Sequence, residues 1–245
     1  MPLNILVFGG TGEARQLAAR LHNTGHKVIS SLAGRTEAPA SLSGETRVGH
    51  FGGPDRIAHF INDRNVDLLV DATHPYAGRI SASISKAAAI ANTPLLQLVR
   101  PAWERPDGAE WISVRTITDL LPMVTGDTRL LVTLGAGALE WLNPLPACHM
   151  LLRMIEPPHP TPAGIEILIS RPPFTLAAEC GLMKDNTITH LLTKNAGGDQ
   201  TRAKIDAAAT LGIPAFVVAR PPLPDCPLRA DNVGAALELI HRTFV

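Results

Sequence analysis

The sequence has little cysteine, few aromatic residues and no excess charge, and each shortage makes a class of protein unlikely. Its three cysteines lie far apart, at positions 148, 180 and 226, and form no CxxC pair. We therefore expect neither a disulfide framework nor a metal site, and we expect a reducing, cytoplasmic location. Aromatic residues make up 4% of the 245 positions, which is too few for base-stacking platforms. Lys and Arg number 22 and Asp and Glu 22, so the chain lacks the basic excess of a nucleic-acid-binding protein.

Long hydrophobic runs are also missing. No stretch approaches the roughly 18 apolar residues of a membrane helix, and the opening run at 3–8 lacks the charged leader of a signal peptide. The hydrophobic content of 45% is nevertheless enough for a sizeable core. These features predict a compact protein with a small-molecule partner and no membrane or nucleic-acid partner.

Short apolar runs alternate with segments of helical spacing along the chain. This rhythm predicts an α/β protein with mainly parallel sheets. The expected strands lie at 5–8, 27–31, 67–71, 95–99, 129–134, 149–155, 188–193 and 215–219, and the expected helices at 13–21, 77–91, 200–211 and 232–242. The turn-rich stretch 101–108 interrupts the rhythm, and ILVFGGTG at 5–12 resembles LLVTLGAG at 130–137. We predict two lobes, 1–110 and 111–245, with a single sheet of seven or eight strands as the alternative.

A glycine turn stands between the first strand and the first helix. Gly10, Thr11 and Gly12, followed by Glu13, occupy the position where nucleotide-binding folds hold a pyrophosphate against a helix N-terminus. The GxGxxG pattern is incomplete, because Arg15 stands at its last position. A tight turn without a ligand therefore remains the alternative.

The end of the second strand indicates which dinucleotide would bind. NAD sites place Asp or Glu about 20 residues past the glycine turn, whereas this chain has Ser31, Gly34 and Arg35 there and no carboxylate before Glu37. A guanidinium can hold a phosphate through two hydrogen bonds. The pattern favours NADPH, unless Arg35 is only a solvated loop residue.

Polar residues also follow the third strand, in the sequence Asp71-Ala72-Thr73-His74-Pro75-Tyr76-Ala77. Carboxyl ends of parallel strands are where ligands bind in such sheets. We expect Pro75 in the first turn of the following helix with Thr73 or His74 near its cap, and a purely structural cap is the alternative. Ile80 stands four residues after Tyr76, so the YxxxK pair of short-chain dehydrogenases is absent.

A second cluster of polar residues follows the strand at 188–193. Lys194, Arg202 and Lys204 supply positive charge there, and Gly197 and Gly198 let backbone amides approach an anion. This segment predicts a site for carboxylates or phosphates, with a solvated basic helix start as the alternative. Arg100, which follows another strand directly, is expected to reach toward the same ligand.

Several of these segments resemble one known family, the precorrin-6A reductases (CobK/CbiJ) of cobalamin biosynthesis. The resemblance runs from residue 8 to 221 and is weak between about 104 and 185. It rests on FGGTGEARQLA (8–18), SLAGRT (31–36), DATHPYA (71–77), VRPAW (99–103), LLTKNAGGDQTRAKIDAA (191–208) and GIPAFVVARP (212–221). It implies two Rossmann-like lobes with a cleft between them, and NADPH-dependent reduction of precorrin-6A to precorrin-6B by hydride transfer to a ring carbon.

The resemblance also implies roles for particular residues. The implied cofactor-binding residues are Gly10, Thr11, Gly12, Ser31, Gly34, Arg35 and Thr73. Substrate contacts are implied for His74, Tyr76, Lys194, Asn195, Gly197 and Gly198. Because a precorrin carries several carboxylates, a neutral protein must concentrate cations around it, and the candidates are Arg79, Arg100, Lys194, Arg202 and Lys204. His74, Tyr76 and Lys194 are the candidate proton donors, and protonation by water stays open.

Two other functions are compatible with glycine turns after strands. One is a precorrin methyltransferase that uses S-adenosylmethionine, although Arg35 stands where a ribose-binding carboxylate is expected. The other is a non-catalytic NADPH-sensing module. We expect a monomer or a weak homodimer.

Overall fold

The chain forms two compact α/β units. The computed structural model describes residues 1–34, 42–135, 138–142, 144–145, 147–157 and 163–245. The first unit consists of Met1–Pro101 and Pro221–Val245, and the second of Ala102–Arg220. None of the described helices is long and apolar enough to cross a membrane.

The first unit contains a six-stranded parallel sheet in the order β12-β5-β4-β1-β2-β3. This is the strand order of a dinucleotide-binding fold, with β12 as its sixth strand. Its strands are β1 (Asn4–Phe8), β2 (Lys27–Leu32), β3 (Glu45–Val48), β4 (Leu68–Asp71), β5 (Leu95–Leu98) and β12 (Leu228–Ala230). Its helices are α1 (Gly12–Asn23), α2 (Pro54–Asp63), α3 (Gly78–Ala91) and α7 (Val233–Phe244).

Alternating side chains of the central strands supply the core on both faces of this sheet. Ile5 and Val7 pack with α1 and with Ile240 of α7 on one face, while Leu6 and Phe8 pack with α2 and α3 on the other. Strands that are buried on both faces read as continuous apolar runs, which is why β1 and β4 stand out in the sequence.

The second unit repeats this architecture. Its six-stranded parallel sheet has the order β6-β11-β10-β7-β8-β9. The strands are β6 (Trp111–Val114), β7 (Arg129–Thr133), β8 (His149–Met154), β9 (Ile165–Ile169), β10 (His190–Lys194) and β11 (Ala215–Val218). The helices are α4 (Ala138–Leu142), α5 (Leu176–Asp185) and α6 (Ala203–Leu211). Two sheets with this order confirm the predicted α/β class with two Rossmann-like lobes and replace the single-sheet alternative.

The division of the chain differs from the boundary expected at residue 110. Residues 221–245 lie in the first unit, because β12 pairs with β5 and α7 packs against α1 and β12. Residues 111–114, shortly after the turn-rich stretch 101–108, form β6, which pairs with β11 at the edge of the second sheet. The short, half-exposed strands β6 and β12 carry little apolar pattern, so only their pairing reveals where they belong.

The start of α3 also differs from the expectation. Pro75 lies in a tight turn before the helix, in which the N–H of Ala77 donates to the carbonyl of His74 at 2.7 Å. Ala77 is the N-cap residue and makes no side-chain cap. Proline is favoured at the second position of such a turn, and the helix begins only after the turn has closed.

Candidate functional site

The glycine turn connects β1 to α1 at the carboxyl edge of the first sheet. Gly9 has a φ of 131°, and a Cβ atom on it would lie 2.4 Å from the carbonyl oxygen of Ala72. Thr11 Oγ1 accepts a hydrogen bond from the N–H of Ala14 at 3.1 Å and donates to the carbonyl of Ala72 at 3.0 Å. These contacts join the ends of β1 and β4, where the strand order reverses and where ligands bind in such sheets.

The first turn of α1 suits an anionic ligand. The helix begins at Gly12, directly after the Thr11 cap, and the N–H groups of a first helical turn have no partner within the helix. Arg15, which breaks the GxGxxG pattern, donates from Nη1 to the carbonyl of Gly10 at 2.8 Å. The arginine therefore adds a contact to the turn from the position where the pattern has a glycine for close helix–strand packing.

A buried carboxylate organises the residues after β4. Asp71 is 3% exposed, and its Oδ1 accepts from the N–H of Thr73 at 3.1 Å and from Thr73 Oγ1 at 2.7 Å. The hydroxyl of Ser81, on α3, lies 3.1 Å from Thr73 Oγ1. Thr73, which we predicted to bind the cofactor, is thus fixed by its neighbours at the edge of the sheet.

Glu13 and Arg100 form an ion pair. Arg100 Nη1 lies 2.9 Å from Glu13 Oε2, and both side chains are largely buried. The arginine offsets the negative charge that Glu13 places in the first turn of α1, next to the predicted pyrophosphate position. The pair helps to line a small cavity formed by Thr11, Glu13, Thr73, Pro75, Leu98 and Arg100.

His74 and Tyr76 lie in the turn that precedes α3. His74 Nδ1 accepts a hydrogen bond from the N–H of Tyr76 at 3.3 Å, and the two rings are 5.8 Å apart. An accepting Nδ1 leaves the ring proton of a neutral histidine on Nε2. Arg79 follows on the first turn of α3, where it is exposed.

The predicted 2′-phosphate site lies at the end of β2. The carbonyl of Ser31, a buried residue of β2, accepts from the N–H of Gly9 at 3.1 Å. Gly34 has a φ of 73°, and a Cβ atom there would lie 3.2 Å from the Val48 side chain. Arg35 itself lies outside the described residues.

Lys194 is the last residue of β10 in the second unit. Its Nζ donates to the carbonyl of Leu134, beyond the end of β7, at 2.7 Å. The preceding threonines of these strands are also joined, since Thr133 Oγ1 lies 2.8 Å from Thr193 Oγ1. The ammonium group is therefore held at the carboxyl edge of the second sheet.

The side chain of Asn195 binds the backbone of Trp103. Asn195 Oδ1 accepts from the N–H of Trp103 at 2.7 Å, and Nδ2 donates to the carbonyl of Trp103 at 3.1 Å. Gly197 and Gly198 follow with φ values of 70° and 78°, which favour glycine. The two glycines therefore have a backbone conformation that only glycine adopts easily, whereas the side-chain amide of Asn195 holds the backbone of Trp103.

The two cations at the start of α6 also have protein partners. Arg202 Nε lies 2.8 Å from Asp206 Oδ1, and its Nη1 donates to the carbonyl of Glu104 at 3.1 Å. Lys204 is 5% exposed and its Nζ lies 5.1 Å from the centre of the Trp103 ring. Their predicted contacts with substrate stay predictions, and Lys194 is the cation of this segment that lies at the strand end.

Potential metal ligands and thiols were also located in the structure. No group of three or more potential metal ligands occurs within the described ranges. Burial raises the pKa of the Cys148 and Cys226 thiols, so both are protonated near neutral pH and are poor nucleophiles.

The sequence motifs pointed to no role for Asp71, Ser81, Trp103 or Arg220. Asp71 and Ser81 fix Thr73, and Trp103 and Arg220 contact the turn after Lys194. The Arg-Pro pair after the predicted strand 215–219 was the one available signal for Arg220, and a contact between residues about a hundred positions apart has no local signature.

Comparison with known proteins identifies close relatives. The sequence profile of the family described as precorrin-6x reductase CbiJ/CobK matches residues 4–241. The chain is 42% identical over 238 residues to the precorrin-6A reductase of Rhodococcus erythropolis, with 95% of each chain covered. It is 38% identical over 244 residues to that of Sinorhizobium sp, covering 97% of this chain and 91% of the relative. A solved structure, described as CobK precorrin-6A reductase, matches with a TM-score of 0.90 and 32% identity over 97% of this chain and 96% of that chain.

Proposed function

Since this chain belongs to the precorrin-6x reductase CbiJ/CobK family, we propose that it reduces precorrin-6A to precorrin-6B in cobalamin biosynthesis with NADPH as the hydride donor. Membership of the family makes the chain an oxidoreductase. The observation that carries the cofactor assignment is the glycine turn at the reversal point of the first sheet, with Thr11 tied to the end of β4.

The turn fits the diphosphate of a dinucleotide. Gly9 brings the backbone to within contact of Ala72 with no room for a Cβ atom, and Gly12 opens α1 with its free N–H groups. Arg100 offsets the charge of Glu13 beside this position. Ser31, Gly34 and Arg35 are proposed to hold the adenosine end, with Arg35 on the 2′-phosphate.

The carboxyl edge of the second sheet is proposed to bind the precorrin. Lys194 contributes a positive charge, and Gly197 and Gly198 contribute backbone N–H groups. Arg79, exposed on α3 of the first unit, stays a predicted substrate contact. Charge-assisted hydrogen bonds of this kind suit a substrate with several carboxylates.

The reaction consumes one hydride and one proton, so that NADPH, precorrin-6A and H⁺ become NADP⁺ and precorrin-6B. NADPH supplies the hydride when it is bound. His74 is a candidate for the proton, because its Nδ1 accepts from the backbone and a proton therefore lies on Nε2. Tyr76 and Lys194 are the other two candidates.

We also propose a cytoplasmic enzyme, a monomer or a weak homodimer. The three cysteines, at 148, 180 and 226, are all unpaired, which fits a reducing compartment.

The decisive experiment measures the loss of NADPH absorbance with purified protein, with and without precorrin-6A, and identifies the product by mass. We expect consumption that depends on the tetrapyrrole and a product heavier by two hydrogens. A thermal-shift titration should show stabilisation by NADPH and not by S-adenosylmethionine. Stabilisation by S-adenosylmethionine alone would favour a methyltransferase, and NADPH binding without turnover would favour a sensing module.

A further inference from the structure

Both ends of the second unit are attached to the turn that follows β10. The unit runs from Ala102 to Arg220, so Trp103 stands near its first residue and Arg220 is its last. Trp103 is bound by the Asn195 side chain through its backbone N–H and carbonyl. The turn at 195–198 thus receives contacts from residues that lie 92 positions before it and 25 after it.

These contacts engage three carbonyl oxygens of the turn. Arg220 donates from Nε to the carbonyl of Asn195 at 2.7 Å and from Nη2 to that of Ala196 at 3.0 Å. The indole Nε1 of Trp103 donates to the carbonyl of Gly198 at 2.8 Å. A carbonyl oxygen repels a carboxylate, and each of these oxygens is oriented toward a protein donor instead.

The N–H groups of the same turn divide into two pairs, of which those of Asn195 and Ala196 donate to the carbonyls of Val218 and Lys194. Within the described part of the chain, the N–H groups of Gly197 and Gly198 have no hydrogen-bond acceptor, and Gly197 is buried. A buried backbone N–H without an acceptor is rare in a folded protein. This pattern therefore indicates that the turn can receive an acceptor that the described residues do not supply.

We propose that Trp103 and Arg220 are positioning residues of the precorrin site. They hold the carbonyls of the turn, so that the N–H groups of Gly197 and Gly198 are presented to a carboxylate of the substrate. Neither residue needs to touch the substrate for this role. The inference rests on the proposed function and adds to it the two residues that shape the anion-binding turn.

The test is steady-state kinetics of Arg220→Ala and Trp103→Phe with precorrin-6A and NADPH. We expect the KM for precorrin-6A to rise about tenfold in each variant, while kcat and the Kd for NADPH change by less than about twofold. Arg220→Lys, which can reach only one carbonyl, should recover part of the loss. Trp103→Phe keeps an aromatic ring and removes only the donor, so it serves as the milder variant if Arg220→Ala does not fold.

Arg129→Ala is the matched control. Arg129 lies in the same unit and also donates to a backbone carbonyl, that of Asn186, at 2.9 Å. It is the first residue of β7, so it lies at the amino ends of the strands, whereas the turn at 195–198 follows a carboxyl end. An equal rise in KM for this control, or an unchanged KM in both test variants, would overturn the inference. If the unaltered protein does not oxidise NADPH with precorrin-6A, the proposed function fails and the inference fails with it.

Discussion

Several polar side chains in the two proposed sites hold the backbone of their own unit. The family resemblance implied a substrate contact for Asn195, and the charge of Arg202 suggested one for that residue. In the structure Asn195 binds the backbone of Trp103 and Arg202 pairs with Asp206, and their contacts with substrate stay predictions. Lys194 holds its ammonium group at the carboxyl edge of the second sheet, where it donates to the carbonyl of Leu134. Charge in a sequence therefore indicates a region, whereas the hydrogen-bond partners of each residue in that region follow only from the folded chain.

Arg35→Ala should weaken NADPH binding much more than NADH binding. Only NADPH carries the 2′-phosphate that a guanidinium would hold, and the chain offers no carboxylate at this strand end before Glu37. Isothermal titration with both cofactors measures the difference. Arg20→Ala, an exposed arginine in the last turn of α1, should change neither affinity, and equal losses for both cofactors in Arg35→Ala would contradict the assignment.

Lys194→Ala should raise the KM for precorrin-6A and leave the NADPH affinity within about threefold, a change below ~1 kcal/mol. The ammonium group lies at the carboxyl edge of the second sheet, while the proposed cofactor site belongs to the first unit. Lys184→Ala, at an exposed position in α5, is the control and should behave as the unaltered protein. A collapse of NADPH binding in Lys194→Ala would show that the two sites are assigned to the wrong units.

At the scale of elements, the strand-to-helix turn depends on the space that glycine leaves. The φ of Gly9 is 131° and the carbonyl of Ala72 occupies the position of a Cβ atom. Thr11 then adds a helix cap and a bond to the neighbouring strand. The turn is consequently rigid before any ligand arrives, which lowers the entropy cost of binding.

Gly9→Ala should destabilise the first unit by roughly 3 kcal/mol or more and abolish NADPH binding, because both the backbone conformation and the space forbid a Cβ atom. Gly25→Ala is the matched control. Gly25 also has a positive φ, of 91°, but nothing lies within 4 Å of a Cβ atom there, so we expect a loss of only about 1 kcal/mol. Urea unfolding and an NADPH titration of both variants would separate the two effects, and similar behaviour of the pair would refute the steric argument.

Elements differ in how well the sequence predicts them. The central strands β1, β4, β7 and β10 were all expected, because burial on both faces requires continuous apolar residues. The edge strands β3 and β9 were missed, since their residues are mostly exposed or half-buried, and so were the helices α2 and α5. The amphipathic pattern of α5 is weak, and the charged residue Glu179 is among its buried residues. The spacing of apolar residues therefore does not reveal which face of this helix is buried.

At the scale of the whole molecule, one strand order occurs twice. When the strands of each unit are numbered along the chain from β1 or β7, both sheets have the order 3-2-1-4-5. A sixth strand, β12 in the first sheet and β6 in the second, pairs with the fifth. The resemblance between ILVFGGTG and LLVTLGAG corresponds to β1 and β7, the equivalent central strands. The C-terminal residues return to complete the first sheet with β12 and α7.

Ile240→Ala in α7 should therefore destabilise the first unit, although position 240 is distant from its other residues in sequence. Ile240 is 1% exposed and packs with Ile5, Val7 and Leu17, so its truncation should cost about 2–5 kcal/mol. Hydrogen exchange should accelerate in β1 and leave β7 unchanged. Ile205→Ala, at a position 2% exposed in the core of the second unit, should give the reverse pattern, and faster exchange in β7 for Ile240→Ala would contradict the division of the chain.

The sequence alone determined the α/β class, the glycine turn, the polar strand ends and the family, because apolar periodicity and turn chemistry are encoded within a few neighbouring residues. Only the tertiary structure decided that residues 221–245 complete the first sheet, that Asn195 holds Trp103, and that Arg100 neutralises Glu13. Each of these depends on a pairing across a long stretch of chain. Many strands could pair with an exposed strand, and many arginines could pair with a given glutamate. The packing of the folded chain therefore selects the partner, and no local pattern does.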